Sequence, residues 1–446
     1  MDLIRPRHYK LVPELVRRDR GDHGRRGESF FPELLNRSAA LDFIHESLPR
    51  PVRPTSPSLM PTAEGPIERI LLTIPNYAVQ DPTMAAAFQG LLGSLPAATR
   101  LVVLVQASAK SVVEAWLKAA GKEQAELNTF EDTLNISIWA EDAFVVAKDT
   151  VTGATFFVEP YSFPRYADGL IGDFVANFTD LRDTRAPLYF QGGNTLIGDD
   201  FFFIGADYPA RSLQYISSHV LTPPVGVSAK EFVKSAYKDY LDKNRKIIYV
   251  GSRVPVPQET TRKFNVSGEE WTETLYAGNA QGTTQPLFHI DMFITLVGRG
   301  DAGKYKVLVG DPKMAFKTLG RPAPLHAMVS VFDDIASGLA DQGFDVVRNP
   351  LPLVYMDDPQ NKERRWYFAT SNNALVQNGP KKEVWLPTYG YGDWTELKKT
   401  DDENATIWEE LGFAVHRLPD FHPFAENLGA VHCIKKYLAR SQPATS

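Results

Sequence analysis

From Ile67 onward the chain alternates between short runs of β-branched and aromatic residues and longer stretches of helical periodicity. The runs include IERILLTIPN, TRLVVLVQA, NISIWAEDAFVVA, NTLIGDDFFFIGA, RKIIYVGS, LFHIDMFITLV, KVLVGD, FDVVRNP, WYFATSNNALVQNG, EVWLPTYG, FAVHRL and AVHCIKKYL. Their length and residue types predict strands. Between them, SAKSVVEAWLKAAGKEQ, SAKEFVKSAYKDYLDKN, HAMVSVFDDIASGLADQG and ATIWEELG place apolar residues three and four apart, as amphipathic helices do. Strand pairs with intervening helices recur four or five times between Ile67 and Leu438. That recurrence predicts an α/β domain of repeated ββα-type units. The units differ too much in sequence for pattern alone to prove a repeat. No linker-like segment interrupts residues 67–440, so one large domain, 67–446, is expected.

The first 66 residues read differently. Residues 1–28 form a basic arm, either a solvated tail or a docking segment. SFFPELLNRSAALDFIHESL predicts one short amphipathic helix, and the prolines of residues 49–66 predict a linker.

Composition narrows the function class. The chain has 446 residues, 43% hydrophobic and 23% charged, as ordinary globular proteins have. A net charge of −6 without a long single-sign run argues against a nucleic-acid partner. The single cysteine rules out an intrachain disulfide and suits a reducing compartment. No stretch reaches the roughly 18–20 apolar residues of a membrane span. The N-terminal stretch lacks the apolar segment of a secretory signal. A cytoplasmic protein with no membrane contact is expected.

Candidate chemistry starts with that cysteine, Cys433, in ENLGAVHCIKKYL. A lone cysteine is either an inert apolar residue or a nucleophile, and only the thiolate attacks, so a nucleophile needs a partner for its proton. His289 in LFHIDMFITLV offers one. On a strand, His289 and Asp291 would share a face because side chains alternate. Such a pair serves acid/base chemistry, satisfies a core histidine, or starts a metal site that lacks a third local ligand. In WAEDAFVVAKD, Glu141 and Asp142 stand among Trp139, Ala140, Ala143 and Phe144, where a buried carboxylate needs a cation or several donors unless the segment is a turn. Gly192-Gly193 fits either a bend or close backbone approach to a ligand. Asn373 and Asn378 fit turns at strand ends.

The order of these segments resembles that of the guanidine-modifying (pentein) superfamily, closest to its agmatine deiminase and peptidyl-arginine deiminase branches. The matching segments are Trp139-Ala-Glu-Asp142, Gln191-Gly-Gly-Asn194, His289-Ile-Asp291, Asn373-(x)4-Asn378-Gly379 and Gly429-Ala-Val-His432-Cys433. The resemblance implies a five-bladed, pseudo-symmetric α/β propeller with its site in the central channel. It implies Cys433 as nucleophile, His289 as general acid/base, and Asp142 and Asp291 as carboxylates gripping a guanidinium by paired hydrogen bonds. Trp139, Glu141, Gln191, Gly192, Gly193, Asn194 and Asn373 are the expected substrate-binding residues. No cofactor or metal is implied; calcium assists some peptidyl-arginine members, and no loop of calcium-binding spacing is recognisable here.

The implied activity is a deiminase acting on arginine residues of a peptide or protein (citrullination), or on a small guanidino compound. An amidinotransferase or dihydrolase would use the same intermediate. A non-catalytic binding protein on the same fold, a cysteine hydrolase of peptide or thioester bonds, and a homo-oligomer stay open. Two departures matter: Gln191 and Asn194 are amides where many free-arginine enzymes have carboxylates, and Glu141 stands where agmatine and free-arginine enzymes commonly have Arg. A Glu141 facing the pocket would repel the α-carboxylate of free arginine.

Overall fold

A computed structural model describes residues 53–441 except 162, 166, 218–221 and 301. The basic arm and the helix expected over residues 29–48 lie outside the described residues. Among the described residues no helix is long and apolar enough to cross a membrane.

Five sheets share one pattern: a first strand antiparallel to a second, and the second parallel to a third. Sheet 1 joins Lys435–Arg440, Ile67–Ile74, Arg100–Gln106 and Glu126–Phe130. Sheet 2 uses Val145–Asp149, Thr155–Glu159 and Arg182–Arg185. Sheet 3 uses Thr195–Ile197, Phe201–Gly205 and Lys246–Val250. Sheet 4 uses Ile294–Arg299, Tyr305–Asp311 and Asp345–Pro350. Sheet 5 uses Leu375–Asn378, Lys382–Thr388 and Ala414–Asp420. A parallel pair needs a crossover, and helices such as Pro82–Ser94, Ala229–Tyr240, Val329–Asp341 and Lys398–Glu410 supply it. These are the repeated units legible in the sequence as paired runs and helical stretches.

The strand interiors follow from their residues. Arg100–Gln106 (RLVVLVQ) is sandwiched between two parallel neighbours and reads as a nearly unbroken apolar run. Phe201–Gly205 (FFFIG) is buried throughout. Ala229–Tyr240 starts at a capping box formed by Ser228 and Glu231.

The Pro-rich segment expected as a linker belongs to the domain from Pro57 on. Pro57–Leu59 pairs antiparallel with Val145–Asp149 as the outer strand of sheet 2. Asn378 donates its backbone N–H to Ala63 and accepts that of Gly65, at 2.8 and 2.7 Å. The Arg440 guanidinium donates to the carbonyls of Thr62, Gly65 and Val376 at 2.6–2.8 Å. Its two terminal nitrogens thereby supply donors to buried backbone carbonyls. Sheet 1 therefore brings both ends of the described chain together.

A sixth sheet, Thr260–Val266, Glu269–Leu275, Glu363–Phe368 and Leu353–Asp358, falls outside the pattern. Its hairpin turn is Ser267-Gly268, both at positive φ, which matches strand twist in a two-residue loop. Sequence reading missed this hairpin, because Thr260–Val266 is mostly exposed and polar.

Candidate active site

Each of the five motif segments places a residue within three positions of the start of the first strand of one sheet. Asp142 precedes Val145, Asn194 precedes Thr195, Asp291 precedes Ile294, Asn373 precedes Leu375, and Cys433 precedes Lys435. The same position in five units thus carries all the candidate chemistry. The local structure is a turn, not the strand expected for His289-Ile-Asp291. His289 is extended, Ile290–Met292 form one 3-10 turn, and the strand begins at Ile294. Glu141 and Asp142 also lie in a turn, where the Asp142 N–H donates to Trp139 O at 3.2 Å. Turns aim neighbouring side chains at one point, which alternation along a strand does not.

That point is Gly193. A methyl group there would lie 2.5 Å from His289 Nδ1, 3.0 Å from Asp291 Oδ2 and 3.2 Å from Asp142 Oδ1. Only glycine lets the backbone pass between these groups. His289, Asp142, Asp291 and Cys433 are all buried.

The sulfur is held from two sides. Asn373 Nδ2 donates to Cys433 Sγ at 2.9 Å, and the thiol lies 3.4 Å from Asp291 Oδ2. Asn373 Oδ1 accepts from the Ala430 and Cys433 backbone N–H groups at 2.9 and 3.2 Å. Asn373 thus shapes the cysteine turn, where the sequence reading had it touch substrate. Asp291 Oδ2 also meets His432 Nδ1 at 2.9 Å, while Asp291 Oδ1 has no hydrogen-bond partner. Burial, aided by Lys435, pushes the His432 pKa down to about 3, so its imidazole is neutral.

The other carboxylate is held differently. Asp142 Oδ2 accepts from Arg165 Nη2 at 2.9 Å, and Arg165 Nε pairs with buried Asp168. Asp168 is fixed in turn by the Ser137 N–H and hydroxyl, both at 2.6 Å. One oxygen of each carboxylate is therefore already engaged. Asp142 Oδ1 stands 3.6 Å from His289 Nδ1.

His289 Nε2 has two neutral partners, Gln191 Oε1 at 2.9 Å and the Tyr208 hydroxyl at 2.7 Å. Gln191 Nε2 donates to the Tyr189 hydroxyl at 3.1 Å, which turns the amide oxygen toward the imidazole. An amide oxygen only accepts, so His289 carries its proton on Nε2 and presents Nδ1 to the centre at Gly193. Phe288 stacks on the ring at 4.0 Å.

Glu141 does not act on the pocket through its carboxylate. It is buried and paired with Lys435 Nζ at 2.9 Å and Lys436 Nζ at 2.8 Å. Repulsion of an α-carboxylate by Glu141 has no basis in this arrangement. Trp139 lies in the core, its ring against Gly429. Asn194 exchanges amide hydrogen bonds with Gln285 at 2.8 and 3.1 Å and accepts the Ile290 N–H at 3.0 Å, so it clamps the His289 turn. Gly192 lies against Glu141 O and Lys436 Nζ, and Gln191 acts through His289.

Arg165, Tyr208, Gln285 and the side chain of His432 escaped the sequence reading. Arg165, Tyr208 and Gln285 lie outside the motifs in polar or loop stretches that carry no spacing signal. Four carboxylates, Glu141, Asp142, Asp168 and Asp291, share this region with three cations, Arg165, Lys435 and Lys436. Among the described residues Asp291 is the acid without a cation. Glu159, Asp173 and Asp183 lie close enough together to hold a metal ion, and none belongs to this site.

This arrangement of mixed sheets, helices and turns is an α/β fold. Solved structures of the same fold include the agmatine deiminase of Enterococcus faecalis, with a TM-score of 0.55 and 14% identity over 86% of this chain and 96% of that one. A structural-genomics target proposed as an agmatine deiminase gives 0.54 and 17%, over 87% and 96%. The agmatine deiminase of C. jejuni gives 0.52 and 10%, over 86% and 98%. No family model and no curated protein sequence matches the chain.

Proposed function

We propose that this chain hydrolyses the guanidino group of a small cationic compound of the agmatine kind, releasing ammonia and leaving a ureido group. The observation that carries the reading is the convergence at Gly193. An imidazole nitrogen and two carboxylates from two turns meet there, the Cys433 sulfur of a third turn lies 3.4 Å from one of those carboxylates, and that carboxylate, Asp291, lacks a cation. The five sheets are read as five blades around that centre.

A guanidinium is a delocalised cation and a poor electrophile. Asp142 Oδ1 and Asp291 Oδ1 accept its N–H groups, and the buried setting strengthens each charge-assisted bond. This fixes the guanidinium carbon near the sulfur and supplies orientation. The incoming cation also offsets the Asp291 charge, which otherwise opposes a thiolate 3.4 Å away. His289 Nδ1 takes up the Cys433 proton, and the thiolate attacks the carbon. His289 then delivers that proton to the departing nitrogen, whose C–N bond breaks, and ammonia leaves. An amidino-thioether on Cys433 remains. Neutral His289 takes a proton from water, hydroxide adds to the same carbon, and the C–S bond breaks to regenerate thiolate and release the ureido product.

The burial of every reacting group supports a small substrate over a protein chain. The test is ammonia release from agmatine, arginine and an arginine peptide, with and without amine acceptors. Agmatine turnover that is abolished in Cys433→Ala supports the reading. Amidino transfer to an amine without ammonia release would replace it, and near-full activity in Cys433→Ala would end it.

A further inference from the structure

We propose that His432, the residue beside the nucleophile, is a positioning residue that holds Asp291 turned so that one oxygen faces the substrate cation, without bringing a competing charge. The proposal rests on the guanidino-hydrolase reading and deepens it. Four observations support it.

The first is the contact: His432 Nδ1 lies 2.9 Å from Asp291 Oδ2, and both residues are buried. The second is the direction of that bond. The imidazole is neutral and holds one proton. A carboxylate only accepts, so that proton sits on Nδ1 and is donated to Oδ2. The third is the outcome for Asp291: Oδ2 is taken, and Oδ1 is a buried acceptor without a partner. Such an atom costs on the order of 1–3 kcal/mol unless something completes it. The donors of a guanidinium have the chemistry to do so.

The fourth is the contrast with the second anchor. Asp142 is held by a cation, Arg165, which it shares with Asp168, whereas a neutral N–H holds Asp291 without cancelling its charge. An Arg at position 432 would fill the site with a competing cation. An apolar side chain would leave a buried carboxylate with too few donors. Neutral imidazole sits between these extremes. Asp291 thus keeps a charge that no cation among the described residues contacts. His432 acts through its side chain while its own backbone N–H is held by Asn373 O at 3.1 Å.

The experiment measures agmatine binding by calorimetry in the Cys433→Ser background, with His432→Asn and His432→Leu added. Asparagine can offer an N–H in place of Nδ1; leucine cannot. The expected result is that His432→Leu weakens binding at least about tenfold. His432→Asn should restore most of the affinity. A loss shared equally by both variants would make His432 merely structural and overturn the proposal. Unchanged binding in His432→Leu would overturn it as well. Failure of the functional reading looks different: agmatine would not bind the Cys433→Ser protein even with His432 intact.

Discussion

The side-chain amide of Asn373 grips Cys433 twice, donating to Sγ at 2.9 Å and accepting the residue's own backbone N–H at 3.2 Å. The sulfur is thereby fixed and given a neutral donor, which favours thiolate over thiol. Asn373→Ala should lower kcat by about 10²–10³-fold, the usual cost of losing a donor aimed at developing charge. The pH midpoint for alkylation of Cys433 by iodoacetamide should rise by about one unit. Unaltered alkylation kinetics would show that Asn373 only shapes the turn.

Gly193 makes a sharper steric case. Any Cβ there enters the space shared by His289 Nδ1, Asp291 Oδ2 and Asp142 Oδ1. Gly193→Ala should cut both agmatine binding and turnover by about 10²-fold or more, since small displacements of reacting groups are that costly. The control is Gly338, within the helix Val329–Asp341, where a Cβ would meet nothing within 4 Å. Gly338→Ala should raise stability by about 0.5–1 kcal/mol through helix propensity, leaving kinetics unchanged. Thermal unfolding and steady-state assays of the two variants separate space from backbone entropy.

These residues also show what was legible beforehand. The repeated units were readable because buried strands such as Phe201–Gly205 are short apolar runs and helices such as Ala229–Tyr240 carry their caps. Cys433, His289, Asp142 and Asp291 were readable as a set because each sits in a short motif at one structural position. Their surroundings were not. Arg165 reaches Asp142 from a loop whose sequence has no periodicity. Glu141 looked poised to meet substrate, but its lysines come from residues 435 and 436, nearly 300 positions away in the chain. Side-chain pairing over such separations is set by tertiary packing, which local pattern does not encode. The linker expected before Ile67 failed for the same reason: its prolines break local structure, while Val145–Asp149 and Arg440 supply partners from afar.

Gln191 gives His289 an amide oxygen where a carboxylate would hold an imidazolium more firmly. Gln191→Glu should therefore raise the His289 pKa, and the alkaline limb of the kcat/KM profile should move up by about one to two pH units. If that limb stays in place, His289 is not the acid of the first step.

His432 should leave a mark on stability as well as on binding. Its pKa is depressed from the ordinary 6.5 to about 3 in the folded chain. Between these values the unfolded chain binds a proton that the native chain does not. Stability is fully present above pH 6.5 and should fall by on the order of a few kcal/mol as pH drops toward 3. Urea unfolding of the parent and His432→Asn across that window tests this: the variant should have the shallower slope, and equal slopes would assign the acid loss to other groups.

The triad of Glu141, Lys435 and Lys436 ties the Asp142 turn to the strand that follows Cys433. All three side chains are buried, so the triad is costly to leave incomplete. Lys436 also donates to the Glu141 backbone carbonyl at 3.2 Å, and the Glu141 N–H donates to Cys433 O at the same distance. Glu141→Gln leaves two buried ammonium groups facing each other without an acid. Stability should drop by about 3–5 kcal/mol. Adding Lys436→Met to Glu141→Gln removes one of those charges and should recover part of the loss. Because the triad lies behind the reacting groups, KM for agmatine in the double variant should stay within about threefold of the parent. Chemical denaturation and steady-state kinetics on the same samples make the comparison. A large rise in KM with little loss of stability would mean that Glu141 meets the substrate after all.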